Sequence, residues 1–125
     1  MNHPIHTKNA PAAIGPYSQA VQAGNLLFVS GQLPIDPATG AFAGEDIASQ
    51  TRQSLTNVRS ILVKAGYSCA DVVKTTVLLA NIEDFAAMNA VYAEFFTENC
   101  PARAAYAVKD IPKGALVEIE VVACK

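Results

Sequence analysis

The sequence is poor in the residues that carry most metal and disulfide chemistry. Its 125 residues include no tryptophan, two histidines and three cysteines, Cys69, Cys100 and Cys124. The cysteines are widely spaced and form neither a CxxC pair nor a cluster with histidine, which argues against a zinc site and a disulfide framework. Reduced thiols are therefore the expected state, as in a reducing compartment.

Charged residues are also scarce, at 16% of the chain, whereas hydrophobic residues make up 51%. The formal net charge of -2 includes no basic run, so the sequence predicts no nucleic-acid partner. No segment is long and apolar enough for a membrane span or a signal peptide, and we expect a cytoplasmic protein without membrane contact. With so few charges, apolar surface is left to be covered, which favours an oligomer.

Motifs for nucleotide cofactors and for nucleophilic triads are missing as well. The chain contains no GxGxxG or P-loop sequence. Its histidines, His3 and His6, lie in an N-terminal stretch that we expect to be mobile. No cofactor and no metal are expected, so any chemistry must use a carboxylate, an arginine, main-chain amides and water.

The order of elements predicts one α+β domain over residues 1–125, in which residues 1–10 are an extended, mobile lead-in. A hairpin with its turn at Ala23-Gly24-Asn25 comes next. The later elements are a helix from the Asp46 cap to Gly66, a strand over 71–82, a helix over about 84–98 that Pro101 ends, and strands over 102–108 and 116–123. This order predicts one sheet with two helices on one face, and a second face left for another subunit.

Alternation along the last predicted strand separates two carboxylates from an apolar set. Neighbouring side chains of a strand point to opposite faces. The apolar set that should meet the helices is Val117, Ile119, Val121 and Ala123, and the other face carries Leu116, Glu118, Glu120 and Val122. Carboxylates in a partly buried interface must be paired or must titrate near neutral pH.

One cation, Arg103, lies in the small and apolar run CPARAAYAV at 100–108. The other arginines, Arg52 and Arg59, fall on the solvent side of the first predicted helix. A guanidinium in apolar surroundings needs an anion. That anion is either a glutamate of the protein, in an ion pair at a subunit interface, or the carboxylate of a small ligand. The residues alone leave both interpretations open.

Four further residues are candidates for ligand contact, each with a plain structural alternative. Ser30 and Gly31 end a predicted strand, where a glycine lets a ligand approach the main chain or simply makes a turn. Tyr17 could cover a planar ligand or pack with its hydroxyl satisfied. Asn89, on the second predicted helix, could contact a ligand or cap a nearby chain end.

Six stretches together resemble the RidA (YjgF-type) reactive-intermediate deaminases. They are NAPAAIGPYSQAV, VSGQLPIDPATG, QTRQSLTNVRSIL, DVVKTTVLLANIEDFAAMNAVYAEFF, PARAAYAV and LVEIEVVA, and they run from about residue 8 to the C-terminus in the family's order. The resemblance implies a chorismate-mutase-like (YjgF-like) subunit with one mixed sheet, assembled as a homotrimer with ligand sites between subunits. It also implies that the strand over 72–80 lies between the last two strands, although the 109–115 linker would allow a direct hairpin. In either arrangement an arginine that reaches across a neighbouring strand could share a cleft with Glu118.

The resemblance also implies an activity, the hydrolysis of enamine and imine products of pyridoxal-phosphate enzymes without a cofactor. 2-Aminoacrylate, through 2-iminopropanoate, and 2-iminobutanoate would give 2-keto acids and ammonia. By resemblance, Arg103 binds the ligand carboxylate, Glu118 activates water, and the main-chain N–H of Ala105 holds the ligand where the family often has cysteine. The other matching site positions are Tyr17, Ser30, Gly31 and Asn89. The chain departs from the family at Cys100 and in a connection before Pro101 that is about two residues shorter.

Two other functions fit parts of this pattern. A non-catalytic module that binds small 2-keto acids would keep Arg103 and make Glu118 dispensable. RNA cleavage or translation inhibition, an activity ascribed to some relatives, is disfavoured by the acidic charge balance.

Overall fold

The computed structural model describes residues 2–125, which form six strands and two α-helices. In chain order the elements are β1 (Asn2–Ile5), β2 (Ala20–Ala23), β3 (Leu26–Gln32), α1 (Ile47–Lys64), β4 (Val72–Leu79), α2 (Phe85–Phe95), β5 (Ala102–Ala107) and β6 (Val117–Cys124). One mixed sheet with two helices, as the sequence predicts, is therefore confirmed. Among the described residues no helix combines the length and the apolarity that crossing a membrane requires.

The strands form one sheet in the order β1-β2-β3-β6-β4-β5, and only the β4–β5 pair is parallel. Because β4 lies between β5 and β6, the arrangement implied by the family resemblance is confirmed and the direct hairpin is wrong. Main-chain hydrogen bonds hold β4 from both sides at its end. The N–H of Val108 donates to the Leu79 carbonyl, and the N–H of Ala80 donates to the Leu116 carbonyl.

Part of the N-terminal stretch is a strand of the sheet. Asn2 to Ile5 pair antiparallel with β2 as an edge strand, where Pro4 is tolerated because an edge strand has one unpaired side. The buried side chain of Gln19 fastens the residues that follow. Its Oε1 accepts from the N–H of Thr7 at 2.7 Å, and its Nε2 donates to the carbonyl of Pro11 at 2.8 Å.

Helix α1 begins and ends where its sequence signals predict. Oδ2 of Asp46 accepts from the N–H of Ser49 at 2.9 Å, which satisfies one of the free donors of the first turn. Gly66, at φ +84, follows the last turn in the left-handed region that glycine favours. One face of α1 carries apolar side chains that are buried, most completely at Leu55, Val58 and Leu62.

Helix α2 is shorter than the predicted range of about 84–98, because it ends at Phe95. The chain leaves the helix at Phe96, whose side chain turns into the core and is 5% exposed. That burial supplies a packing reason for the early end. On the inward face of α2, Met88 and Tyr92 are buried, whereas Phe85 and Phe95 are half-buried.

The two faces of the sheet differ as the alternation of β6 predicts. Val117, Ile119, Val121 and Ala123 are buried beneath the helices. The opposite face, here called the open face, carries no helix of the described chain. It presents Phe28, Thr76, Leu78, Tyr106, Glu118, Glu120 and Val122. The large apolar side chains of Phe28 and Tyr106 are 46% and 49% exposed on this face.

Candidate active site

The carboxylate of Glu118 lies on the open face against a glycine. Glu118 is opposite Leu78 of β4, and its side chain rests on Gly31, where a register shift between Val29 and Gln32 interrupts β3. A Cβ atom at Gly31 would overlap Oε2 of Glu118 and lie 2.9 Å from its carboxyl carbon. The absence of a side chain at Gly31 is therefore what makes room for this carboxylate.

Glu118 is set up to accept a proton more readily than an ordinary glutamate. Partial burial, and secondarily the negative charge of Glu120, raise the pKa of the Glu118 carboxyl. None of the side-chain hydrogen bonds and ion pairs found within residues 2–125 involves this carboxylate. A half-buried, unpaired carboxylate with a raised pKa is a suitable general base.

A cavity of about 590 Å³ opens beside Glu118. It brings together four of the predicted site residues, Tyr17, Ser30, Gly31 and Glu118. Tyr17 is 53% exposed at its edge, in a position to cover a bound molecule. The Ser30 hydroxyl donates to the Ser18 carbonyl at 2.6 Å, so towards a ligand it offers mainly its oxygen as an acceptor.

Sequence reasoning missed two residues that line this cavity. The buried Gln19 holds the N-terminal segment that forms one wall, through the hydrogen bonds described above. Lys113 lies in the turn before β6 at φ +62, a left-handed conformation uncommon for a residue with a side chain. The Pro-Lys-Gly sequence of that turn is the signal that could have indicated it.

Arg103 is placed elsewhere, on the helix side of β5. It pairs with Thr75 of β4 and is exposed, because β5 is an edge strand; its apolar sequence context had suggested burial. Its Nη1 donates to Oδ1 of Asn89 at 2.7 Å. No carboxylate among residues 2–125 lies within ion-pair distance of Arg103. The ion pair found within these residues joins two other side chains, Arg52 and Glu94, at 2.9 Å. Within one chain, the Arg103 guanidinium keeps its charge and most of its N–H donors.

Ala105 belongs to the same side of the sheet as Arg103. It pairs with the buried Val77, and its half-buried methyl packs against the core. Since β5 is the last strand of the described sheet, one edge of its main chain has no neighbouring strand. Main-chain groups of this edge are therefore available to a ligand or to a second chain.

The candidate residues thus form two groups on opposite faces of one sheet. The Arg103 group comprises Arg103, Asn89 and Ala105, and the Glu118 group comprises Glu118, Gly31, Ser30 and Tyr17. Arg103 pairs with Thr75, which is buried beneath the helices, whereas Glu118 pairs with Leu78 on the open face. Arg103 and Glu118 of the same chain therefore face opposite sides of the sheet. Among the described residues, no cluster of three histidine, cysteine, aspartate or glutamate side chains could hold a metal.

Comparisons with known proteins cover nearly the whole chain. A family model described as Endoribonuclease L-PSP matches residues 7–125. A RutC family protein of Pyrococcus horikoshii is 56% identical over 125 residues, which are 100% of this chain and 99% of that protein. The 2-iminobutanoate/2-iminopropanoate deaminase of Salmonella typhimurium is 49% identical over 128 residues, 100% of this chain and 99% of its own length. The crystal structure of E. coli TdcF with bound serine superposes with a TM-score of 0.95 at 43% identity, covering 98% of each chain.

Sheet order, helix placement and full-length matches define a YjgF-like α+β protein. The chain belongs to the RidA (YjgF-type) family, as the sequence blocks indicated.

Proposed function

We propose that this protein is a cofactor-independent hydrolase that converts 2-imino acids, such as 2-iminopropanoate and 2-iminobutanoate, to 2-keto acids and ammonia. The observation that carries the proposal is the presence of two charged groups: Arg103, which has no carboxylate partner among residues 2–125, and Glu118, which has a raised pKa and faces a cavity. A relative 49% identical to this chain is named for this reaction. The name of this relative supports the type of reaction. Rate measurements on imines with different side chains would identify the preferred substrate.

The Arg103 group supplies the binding half of the site. Asn89 occupies one N–H of the guanidinium, and the remaining N–H groups can hold a ligand carboxylate in a two-point contact. Main-chain N–H groups near Ala105 and Gly31 assist in this role. Fixing the carboxylate fixes the neighbouring imine carbon, which lowers the entropic barrier to attack by water.

The Glu118 group supplies the chemical half. The Glu118 carboxylate takes a proton from a water molecule as the water oxygen bonds to the carbon of the protonated imine. Glu118 gives this proton to the nitrogen of the resulting carbinolamine. As the carbon–nitrogen bond breaks and ammonia leaves, the regenerated Glu118 carboxylate takes the proton of the carbinolamine hydroxyl, which becomes the carbonyl of the 2-keto acid, and then passes that proton to the released ammonia. Tyr17 covers the cavity during the reaction.

The two halves require more than one chain. The Arg103 group and the Glu118 group lie on opposite faces of the sheet, so the Arg103 group of one subunit must meet the Glu118 group of another. The open face carries exposed Phe28 and Tyr106, apolar surface that a neighbouring subunit would bury. We therefore propose the homotrimer with intersubunit sites that the family resemblance implies.

Two variants separate deamination from simple binding. 2-Aminoacrylate is generated in situ from serine by a dehydratase, and pyruvate and ammonia are followed with each variant. Glu118→Gln should bind 2-oxobutanoate as the parent does but lose about two orders of magnitude in rate, the usual size of general-base catalysis, or fall to the uncatalysed rate. Arg103→Ala should lose binding and turnover together. Glu83→Gln removes an exposed carboxylate outside both groups and serves as the control.

Each rival function has its own signature in this experiment. Full turnover by Glu118→Gln would contradict the catalytic proposal and favour a keto-acid-binding module. Salt-sensitive RNA binding that survived Arg103→Ala would contradict it in favour of a nucleic-acid function.

A further inference from the structure

One face of α2 lies beneath the guanidinium of Arg103. Phe85, Asn89 and Tyr92 follow at steps of four and three residues, the spacing that places side chains on one face of a helix. The guanidinium carbon lies 5.3 Å from the centre of the Phe85 ring and 4.8 Å from that of Tyr92. Both distances are within the range of cation–π attraction.

The Tyr92 side chain is itself held in place by a hydrogen bond to strand β4. Its hydroxyl shares a hydrogen bond of 2.8 Å with Oγ1 of Thr75, and both residues are buried. Thr75 is also the residue of β4 that pairs with Arg103. These contacts form a closed network that links β5, β4 and α2 around Arg103. The position of the Tyr92 side chain is therefore coupled to the strand that carries Arg103.

We propose that Phe85 and Tyr92 are positioning residues that hold the Arg103 guanidinium ready for a ligand carboxylate. An exposed arginine on an edge strand has many rotamers, and ordering it on binding would cost affinity. A carboxylate would restrain it too, but would neutralise its charge and occupy its donors. Aromatic rings restrain it by attraction to its charge and leave that charge for the ligand. This inference rests on the proposed function, in which Arg103 binds the substrate carboxylate.

The prediction is a loss of affinity when either ring is removed. Phe85→Leu and Tyr92→Leu should each raise the dissociation constant of 2-oxobutanoate, measured by calorimetry, by about two- to five-fold, the range that exposed cation–π contacts give. The KM for the imine should rise by a similar factor while kcat changes little, because ground-state and transition-state binding weaken together. Tyr92→Phe, which keeps the ring, should restore most of the affinity that Tyr92→Leu loses.

The chain offers a matched control on the same helix. The Phe95 ring lies under a different guanidinium, that of Arg59, at 4.9 Å, and is half-buried as Phe85 is. Phe95→Leu should therefore change helix packing to a similar degree and leave the dissociation constant as in the parent. Thermal melts of all variants report on folding, and if Tyr92→Leu does not fold, Phe85→Leu decides the result.

The outcomes separate this inference from the function on which it rests. If the parent binds 2-oxobutanoate and Arg103→Ala does not, but Phe85→Leu binds as tightly as the parent, the positioning role is overturned and the function stands. An equal loss in Phe95→Leu would also overturn it, since the effect would then be one of general packing. If the parent does not bind the keto acid, or if Arg103→Ala binds it equally well, the proposed function itself fails.

Discussion

Glu118 and Gly31 act as a pair, because the carboxylate occupies the volume where a side chain at residue 31 would lie. Gly31 is not in the left-handed region, so alanine there strains no backbone but must displace the carboxylate. We expect Gly31→Ala to fold normally and to lose turnover at least about ten-fold, as expected for a misplaced base. Circular dichroism and the coupled ammonia assay measure the two effects.

A second glycine provides the control. Gly24, in the hairpin turn, is at φ +63 with open space around it, so Gly24→Ala should cost some stability at the turn and keep the activity. Full activity in Gly31→Ala would show that the position of the Glu118 carboxylate is unimportant.

Glu120 tunes its neighbour through charge. Its carboxylate contributes to the raised pKa of Glu118, after the larger effect of burial. A general base works in its deprotonated form, so the rate should rise with pH through that raised pKa. Removing the charge in Glu120→Gln should lower the pKa of Glu118 and move the acid limb of the kcat/KM profile to lower pH. A limb that stays in place or moves to higher pH would contradict this assignment.

The sequence identified the charged residues of the site but not their surroundings. Strand alternation was enough to place Glu118 on the face away from the helices, because a period of two is a local property. The exposure of Arg103 and its bond to Asn89 depend on β5 being the last strand of the sheet, which is a property of the whole topology.

Helix α1 carries two buried hydroxyls that reduce its contribution to stability. Thr51 and Ser54 face the core, and neither hydroxyl oxygen has a hydrogen-bond partner within the described part of the chain, residues 2–125. Thr51→Val replaces the hydroxyl with a methyl of nearly the same shape, so we expect the free energy of unfolding to rise by about 1 kcal/mol. Urea denaturation measures this change. A loss of stability would mean that the hydroxyl finds a partner in solution.

Elements with strong local signals were predictable, and those decided by tertiary contacts were not. Asp46 and Gly66 set the limits of α1 through local hydrogen bonding and backbone conformation. The early end of α2 follows from the burial of Phe96, which no local pattern indicates. Strand β1, with Pro4 and mostly exposed polar residues, has no apolar alternation and exists through its pairing with β2.

At the scale of the molecule, the central point is that one subunit carries both halves of the proposed site on opposite faces of its sheet. Sequence alternation gave the faces of β6, but not the strand order that puts β4 between β5 and β6. The resemblance to the RidA family supplied that order, and the structure confirms it. If Arg103 and Glu118 serve one site, as we propose, they must therefore come from different subunits.

Mixing two inactive variants tests this consequence most directly. Arg103→Ala and Glu118→Gln are unfolded together in equal amounts, refolded so that subunits mix, and assayed for deamination of 2-aminoacrylate. If each site takes Arg103 from one chain and Glu118 from another, about a quarter of the sites will be intact, and about a quarter of the parent activity should return. Each variant refolded alone provides the baseline. Refolded mixtures that remain as inactive as the separate variants, although mixed oligomers have formed, would contradict the shared site.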